Sequence, residues 1–205
     1  MKQFVLAITG ASGAAYARRL AQCILRSGAH LHLVVTPHGT RVFTDELGLR
    51  QLTTEALIGE PAEHVTHHRC ADIGAAIASG SFRTDGMVIC PCSSNTLAAV
   101  ASGVADNLVT RAAAVTLKER RRLILVAREM PLSHVEISNM LRISEAGGIL
   151  CPACPGFYMQ PQSVDDLVNF VVGRVLDLLG VPHELNVRWE PEPPRRATGK
   201  DRPSE

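Results

Sequence analysis

Short apolar runs alternate with stretches of helical periodicity along most of this chain, and this alternation limits the folds that it can adopt. The runs typical of buried strands lie at 4–8, 31–35, 86–92, 123–127 and 149–151. Predicted helices lie at 14–26, 93–101, 107–120, 133–146 and 164–179, and a polar helical stretch reaches about residue 57. Strands that alternate with helices form a mainly parallel sheet with helices on both faces. We therefore expect a doubly wound, three-layer α/β fold of the Rossmann or flavodoxin type, with its ligand beyond the carboxyl ends of the strands.

Length and composition exclude several classes of partner. The 205 residues carry 21 Lys and Arg against 20 Asp and Glu, and 4% are aromatic. Nucleic-acid binding normally needs an excess of basic residues or a platform of aromatic rings, so we expect no nucleic acid as partner. No apolar run reaches the roughly 20 residues of a membrane span, and no signal peptide precedes the first strand, so we expect a cytoplasmic protein. We predict one domain over 1–190 and a disordered, Pro- and charge-rich tail over 191–205.

The residue types that commonly bind metals do not form a recognisable metal site. Cys151 and Cys154 have C-x-x-C spacing, but no second pair or matching His accompanies them. We interpret both as small, buried apolar side chains. His64, His67 and His68 cluster in a polar segment that we interpret as a surface loop. We therefore expect no metal.

Two loops of small and polar residues follow two of the predicted strands. The loop 9–13, Thr-Gly-Ala-Ser-Gly, leads into the first helix, where glycines and free N–H groups favour an anion such as a phosphate. The loop 92–96, Cys-Ser-Ser-Asn-Thr, offers more hydrogen-bonding side chains than one helix cap requires. Together the two loops predict a site that binds a phosphate and a ring system. A tight turn and a plain cap remain the alternatives.

Charged residues mark further candidates. Arg128 and Glu129 directly follow the strand 123–127, which is typical of active sites in parallel sheets. The basic run 118–122 ends a helix, where the helix dipole alone explains it. Arg174 borders the apolar stripe of the last helix, where its side chain can also reach solvent from the rim of the core.

Six segments occur together in the order found in one known family. They are 8–13 (ITGASG), 90–93 (CPCS), 117–121 (LKERR), 128–133 (REMPLS), 139–141 (NML) and 155–158 (PGFY). Over residues 3–189 the chain closely resembles the UbiX/Pad family of flavin prenyltransferases. The resemblance implies transfer of the dimethylallyl group of dimethylallyl monophosphate to N5 and C6 of reduced FMN, which gives prenylated FMN for a UbiD-type decarboxylase. It also implies a metal-independent reaction and a homododecamer with sites at subunit interfaces.

The same resemblance assigns roles to individual residues. FMN binding is implied for Gly10, Ala11, Ser12, Thr36, Ser93, Ser94, Asn95, Thr96 and Arg128. Arg111, Lys118, Glu129, Tyr158 and Arg174 match the residues that surround the prenyl phosphate. The implied catalytic residues are Glu129, Lys118, Glu46, Ser12 and Trp189, the last as a shield for the prenyl group.

The chemistry agrees with these roles. Cations stabilise a departing phosphate, and a carboxylate such as Glu129 can relay the proton that the flavin ring loses. Because Lys118 ends the helix before strand 123–127, we expect it to reach the same strand end as Glu129. Ala127 and Glu136 replace a frequent Pro and a common His, and 79–86 resembles the branch linked to phenolic-acid decarboxylase operons. These departures leave the pathway open.

Three other functions compete with this one. A flavin-dependent decarboxylase of the phosphopantothenoylcysteine type shares the expected fold. That family has a catalytic His soon after the first helix and a Cys in a C-terminal lid, and this sequence has neither residue at the corresponding position. An aromatic-acid decarboxylase subunit is the second alternative. A carrier that only binds flavin is the third. It leaves four candidate site residues without a role: Lys118, Glu129, Tyr158 and Arg174.

Overall fold

A six-stranded parallel sheet forms the middle layer of the structure. The structure is a computed structural model, and it describes residues 1–49, 51, 53–59 and 63–185. The strands are β1 (Gln3–Ile8), β2 (His30–Val35), β3 (Val65–Arg69), β4 (Gly86–Cys92), β5 (Leu123–Ala127) and β6 (Ile149–Leu150). The helices are α1 (Ala14–Arg26), α2 (Pro37–Leu47), α3 (Thr54–Ile58), α4 (Ser94–Ala101), α5 (Leu108–Lys118), α6 (His134–Glu145) and α7 (Val164–Leu179). The prediction of a doubly wound, three-layer α/β fold is confirmed.

Each face of the sheet buries its own hydrophobic core. One core joins alternate strand residues to α1, α3 and α7, and the other joins the intervening strand residues to α4, α5 and α6. Burial on both faces explains why the central strands are continuous apolar runs in the sequence. Ser133 and Ser163 begin α6 and α7 with capping boxes, and Gly180 ends α7 in the left-handed region at φ 68°.

The strand order places one crevice in the sheet. The order is β3-β2-β1-β4-β5-β6, so the chain moves outward from β1 in one direction and from β4 in the other. Such a reversal leaves a gap between the connections at the carboxyl ends of the two central strands, where ligands of open α/β sheets bind. The loops after β1 and β4 therefore lie side by side, as predicted.

The histidine cluster corrects one sequence prediction. His67 and His68 lie in β3, an edge strand paired with β2, and not in a surface loop. Only Val65 of β3 is apolar, so the strand has no hydrophobic alternation, and its pairing with β2 is a long-range contact. On one face His68 Nε2 lies 3.0 Å from Nδ1 of His32, whose Nε2 lies 3.0 Å from Gln3 Oε1.

This cluster should make the fold sensitive to acid. Burial, with smaller contributions from the charges of His30 and His68, lowers the pKa of His32 to about 4, and His32 is 5% exposed. The unfolded chain then binds more protons than the folded chain between about pH 6.5 and pH 4. Stability should therefore fall over that window, by about 3 kcal/mol at pH 4. Urea unfolding at the two ends of this window, about pH 6.5 and pH 4, measures the loss of unfolding free energy.

Two variants locate the source of the acid sensitivity. His32→Asn should reduce the dependence of unfolding free energy on pH and leave the smaller part that comes from His67 and His68, whose pKa values burial also lowers. His134→Asn, at an exposed position, should leave the dependence unchanged. Equal pH dependence in the His32→Asn protein and the wild-type protein would show that another group titrates.

Candidate active site

Thr9 joins the two central loops. Its hydroxyl donates to the Pro91 carbonyl oxygen at 2.8 Å and accepts from the Ser93 N–H at 2.9 Å, and the residue is 1% exposed. One buried side chain therefore links the ends of β1 and β4, in addition to the hydrogen bond from the Thr9 N–H to the Pro91 carbonyl oxygen at 3.3 Å. Sequence reasoning missed this role, and the only signal was a hydroxyl residue that directly follows a buried strand.

Thr9→Val should weaken FMN binding about tenfold, because it leaves the Ser93 N–H without its acceptor and removes one of the two hydrogen bonds to the Pro91 carbonyl. Thr9→Ser keeps the hydroxyl and should bind FMN nearly as well as the wild-type protein. Fluorescence titration of FMN measures both dissociation constants. An unchanged constant for folded Thr9→Val would mean that the loops hold their spacing without this side chain.

Glycines let α1 and α2 approach the first loop closely. A Cβ on Gly10 would lie 2.5 Å from Cβ of His38, at the start of α2. A Cβ on Gly13, which has φ 131°, would lie 2.9 Å from the Tyr16 ring. Both distances are shorter than real contacts, so only glycine allows this packing. Ser12 lies exposed at the rim of the crevice.

Glu46 occupies a position that the sequence analysis assigned to the phosphate. Its carboxylate accepts the N–H groups of Gly13 at 3.0 Å and Ala14 at 2.8 Å, where α1 has no side-chain N-cap of its own. A carboxylate stabilises the positive end of a helix and repels a second anion there. In this structure the first N–H groups of α1 donate to Glu46, so they are not free as expected, and phosphate binding by the loop itself stays a prediction.

Thr36 begins α2 at the same crevice. Its hydroxyl oxygen accepts the Gly39 N–H at 3.0 Å, which leaves the hydroxyl hydrogen free to donate to a ligand. A Cβ on Gly39 would lie 2.7 Å from the Ile8 carbonyl oxygen, so glycine is needed where α2 passes the end of β1. Gly39 was not predicted, because its role depends on this tertiary contact.

The polar side chains of the loop after β4 have two different roles. Ser93 caps α4 by accepting the Thr96 N–H at 3.3 Å, and the two hydroxyls lie 3.0 Å apart. Ser94 instead donates to Glu129 Oε2 at 3.1 Å, which links this loop to the end of β5. Asn95 is exposed. Ser94 and Asn95 are thus the members not engaged in capping.

Arg128 carries a polar atom that requires an acceptor. Its Nε is buried and has no hydrogen-bond partner among the described residues. A buried N–H without an acceptor costs about 1–3 kcal/mol, so such groups normally contact a ligand or water. An oxygen-rich anion such as FMN supplies acceptors of the required kind. The residues around the crevice therefore fit this cofactor.

Tyr158 and Arg174 lie along one side of α7. The Tyr158 ring meets Phe170 edge-on, with 5.7 Å between ring centroids, and Phe170 is one turn before Arg174. Arg174 pairs with Asp177 at 3.2 Å, and its side chain is 52% exposed. An exposed pair of this kind contributes little stability, so the guanidinium is available to an anion.

Lys118 lies away from the crevice, which corrects a second expectation. Lys118 pairs with Glu119 beside Gly80, and Arg111 Nε donates to the Ala78 carbonyl at 3.2 Å. The helix before a parallel strand runs towards the start of that strand, whereas Glu129 follows its end. One copy of the chain therefore does not bring Lys118 to Glu129.

Other predicted residues have simpler outcomes. Cys151 is half-buried against the core, but Cys154 is exposed, so the interpretation of both as buried is wrong for Cys154. Within the described ranges, no group of three or more His, Cys, Asp or Glu is arranged to hold a metal ion. The same part of the chain contains no helix of the length and apolarity needed to cross a membrane. Trp189 and the predicted tail 191–205 lie outside the described residues.

Known proteins match both the sequence and the fold. A flavoprotein family model matches residues 1–176. The flavin prenyltransferases UbiX of Halalkalibacterium halodurans and Pseudomonas aeruginosa are 45% and 43% identical, each over 92% of this chain and 94% of the relative. The chain is thus a flavoprotein of the doubly wound α/β class. It belongs to the UbiX flavin prenyltransferase family.

Solved structures agree with this assignment. AnUbiX (PadA1), in complex with FMN and dimethylallyl pyrophosphate, has a TM-score of 0.82 and 40% identity over 92% of this chain and 99% of its own. A dodecameric FMN-dependent UbiX-like decarboxylase from Escherichia coli O157:H7 has a TM-score of 0.84 and 41% identity over 92% and 100%. A PPC decarboxylase mutant, at 22% identity and a TM-score of 0.59, shares the fold alone.

Proposed function

We propose that this chain is a flavin prenyltransferase that joins the dimethylallyl group of dimethylallyl monophosphate to N5 and C6 of reduced FMN. The observation that carries the proposal is the pair at the end of β5. Arg128 has a buried Nε without a protein acceptor, and the adjacent Glu129 is held by Ser94 of the neighbouring loop. An anion-binding group beside an oriented carboxylate suits a reaction that binds a phosphorylated flavin and removes a proton from it.

Reduced FMN supplies an electron-rich ring that reacts with an allylic carbon. The side chains and loops proposed to bind it are those that meet at the crevice: the loop 10–12, Thr36, the loop 93–96 and Arg128. Their positions are set by Thr9, because this buried residue fixes the distance between the loops after β1 and β4. Thr36 can donate its hydroxyl hydrogen to a phosphate oxygen, since Gly39 uses only the oxygen.

The prenyl phosphate is proposed to bind beside α7. Tyr158 donates a hydrogen bond from its hydroxyl, and Arg174 exchanges its exposed contact with Asp177 for the phosphate. The C–O bond of the ester then breaks, and both bonding electrons leave with the phosphate. Charged donors that face the leaving group stabilise the transition state more than the ground state. They therefore lower the activation free energy of this step.

When the second bond forms, the double bond of the attached five-carbon group takes up a proton from the departed phosphate, and its outer carbon bonds to C6. Glu129 is proposed to accept the proton that C6 then loses. The Ser94 hydroxyl donates to Oε2 and the Met130 N–H lies 3.2 Å from Oε1, so the carboxylate has a fixed orientation. From this position the Glu129 carboxylate can pass the proton to the departed phosphate. The free phosphate is a stronger base than the phosphate ester of the substrate. Glu46 is engaged at the start of α1, so we assign it the positioning of the first loop.

We further propose that the chain assembles as a homododecamer in which a neighbouring copy completes each site. Lys118 is separated from the crevice of its own chain, and in a shared site Lys118, together with Arg111 of the same helix, would reach the crevice of the next copy. Exposed apolar side chains around the end of β5 support assembly, because a monomer rarely exposes so many close together. They are Met130, Leu132, Val135, Ile137 and Leu141.

The product, prenylated FMN, is proposed to pass to a UbiD-type decarboxylase in the cytoplasm. This chain would then supply the cofactor, and its partner would carry out the decarboxylation. The reaction uses no metal, because the electron-rich flavin and the charged side chains supply the reactivity that a metal would otherwise provide.

A comparison of substrates tests the proposal. The purified chain should release phosphate from dimethylallyl monophosphate only when reduced FMN is present, with dimethylallyl pyrophosphate and oxidised FMN as controls. The same preparation should release no carbon dioxide from phosphopantothenoylcysteine or cinnamic acid. Carbon dioxide release without phosphate release would favour a decarboxylase, and tight FMN binding with neither reaction would favour a carrier.

A further inference from the structure

Tyr16 lies in the crevice and has no role in the function proposed above. It is the third residue of α1, and helical side chains lean towards the start of their helix, so its ring points back to the carboxyl end of the sheet. The contact with Gly13 described above agrees with this direction. The ring is half-buried and packs against the core formed by α1 and α7. One face is therefore supported by protein.

Charged or ionisable groups from four other elements lie close enough to Tyr16 to influence the pKa of its hydroxyl. Burial raises its pKa first, and the nearby groups Cys90, Cys154, Arg128 and Glu46 also act on it. These groups come from β4, the loop after β6, the end of β5 and α2. No described residue forms a hydrogen bond with the hydroxyl. The side chain therefore presents a neutral phenol at a point where four parts of the site converge.

We propose that the Tyr16 ring forms a wall of the prenyl pocket and contacts the dimethylallyl group. The inference rests on the proposed function. A Cβ on Gly13 would lie 2.9 Å from the Tyr16 ring and 3.5 Å from Cβ of Pro91, so the ring lies close to the end of β4, beside the crevice where Arg128 is proposed to contact the flavin. Cys154, whose charge also acts on Tyr16, lies in the loop that carries Tyr158. A side chain between these two regions lies between the flavin and the prenyl phosphate, where the five-carbon group must be held.

An aromatic ring suits the chemistry at this point. When the C–O bond breaks, positive charge develops on the allylic carbons, and the face of an aromatic ring stabilises a cation. The ring also excludes water, which would otherwise capture the cation to give dimethylallyl alcohol and a proton. A neutral phenol is a much weaker nucleophile than a phenolate, so the hydroxyl does not compete with the flavin.

The ratio of phosphate released to prenylated FMN formed tests this role, because a purely structural contact would not alter it. The wild-type ratio should be one. Tyr16→Leu and the larger Tyr16→Met should form product about three- to thirtyfold more slowly, the range of a cation–π contact, with a ratio above one and dimethylallyl alcohol in excess. Tyr16→Phe should keep the wild-type ratio. Phe82→Leu removes a ring that meets His32 on the other face of the sheet and should change nothing.

FMN titration and circular dichroism establish that each variant is folded before the ratio is read. A folded Tyr16→Leu or Tyr16→Met protein with the wild-type rate and a ratio of one would overturn the inference. A ratio that rises equally in Tyr16→Phe would also overturn it, since the ring would then not be the active feature. A wild-type chain that forms no prenylated FMN would instead contradict the proposed function itself.

Discussion

Glu129→Gln should form prenylated FMN at least about 100-fold more slowly than the wild-type protein, within the usual range for loss of an acid–base group. The amide keeps the shape of the carboxylate and can still accept from Ser94, so the loop after β4 stays in place. It cannot take a proton, and the step that depends on proton removal is therefore slowed. FMN affinity should stay within about twofold, because the flavin contacts are unchanged. Single-turnover mass analysis and FMN titration measure the two quantities.

Two control variants separate proton transfer from positioning. Ser94→Ala leaves the Glu129 carboxylate in place but removes the hydroxyl that orients it, so its rate should lie between those of Glu129→Gln and the wild-type protein. Glu145→Gln changes an exposed carboxylate at the end of α6 and should have little effect on the rate. A wild-type rate for Glu129→Gln would exclude Glu129 as the base. Glu46 would then be the next candidate, although it is engaged with the first turn of α1.

Lys118→Ala should lower kcat/KM for dimethylallyl monophosphate about ten- to a hundredfold, the effect of one lost charge-assisted contact with a phosphate. FMN binding should persist, because Lys118 lies at the start of β5 and away from the flavin crevice of its own chain. Within one chain its only described partner is Glu119, and an exposed pair of this kind contributes little stability. Lys118→Ala should therefore fold normally.

Mixed oligomers show whether the site is shared. Lys118→Ala and Glu129→Gln chains, co-expressed and purified through two tags, should regain about a quarter of the wild-type activity if each site draws these residues from two copies. If both residues served the site of their own chain, every site would carry a defect, and no activity would return. The Lys118→Ala and Arg111→Ala pair is the matched control: residues contributed by the same copy should not complement each other.

The central elements of the fold could be predicted because their sequence signal is local. The bounds of β4, β5, α1 and α7 agree with the predictions, since strands buried on both faces are continuous apolar runs and α7 has a full apolar stripe. The edge strand β3 could not be predicted in this way. Its residues Thr66, His67, His68 and Arg69 are polar, and pairing with β2 alone makes them a strand.

The candidate site was predictable where it depends on strand ends. The loops after β1 and β4 and the pair Arg128–Glu129 all follow apolar runs, and parallel strands bring such positions to one edge. Thr9, Gly39 and Tyr16 gave no comparable signal, because each acts through a contact with a distant part of the chain. The error over Lys118 has another cause: the sequence shows that this residue ends a helix, but only the direction of the chain shows which edge of the sheet it reaches.

The mass of the flavin after incubation tests the central claim most directly. The full chain, reduced FMN and dimethylallyl monophosphate are mixed without oxygen, and the flavin is separated from the protein and analysed. The account predicts FMN increased by one C5H8 unit, in amounts that match the phosphate released, and no such species without the protein. Unmodified FMN alongside released phosphate, or no change in either, would contradict the assignment of this chain as a flavin prenyltransferase.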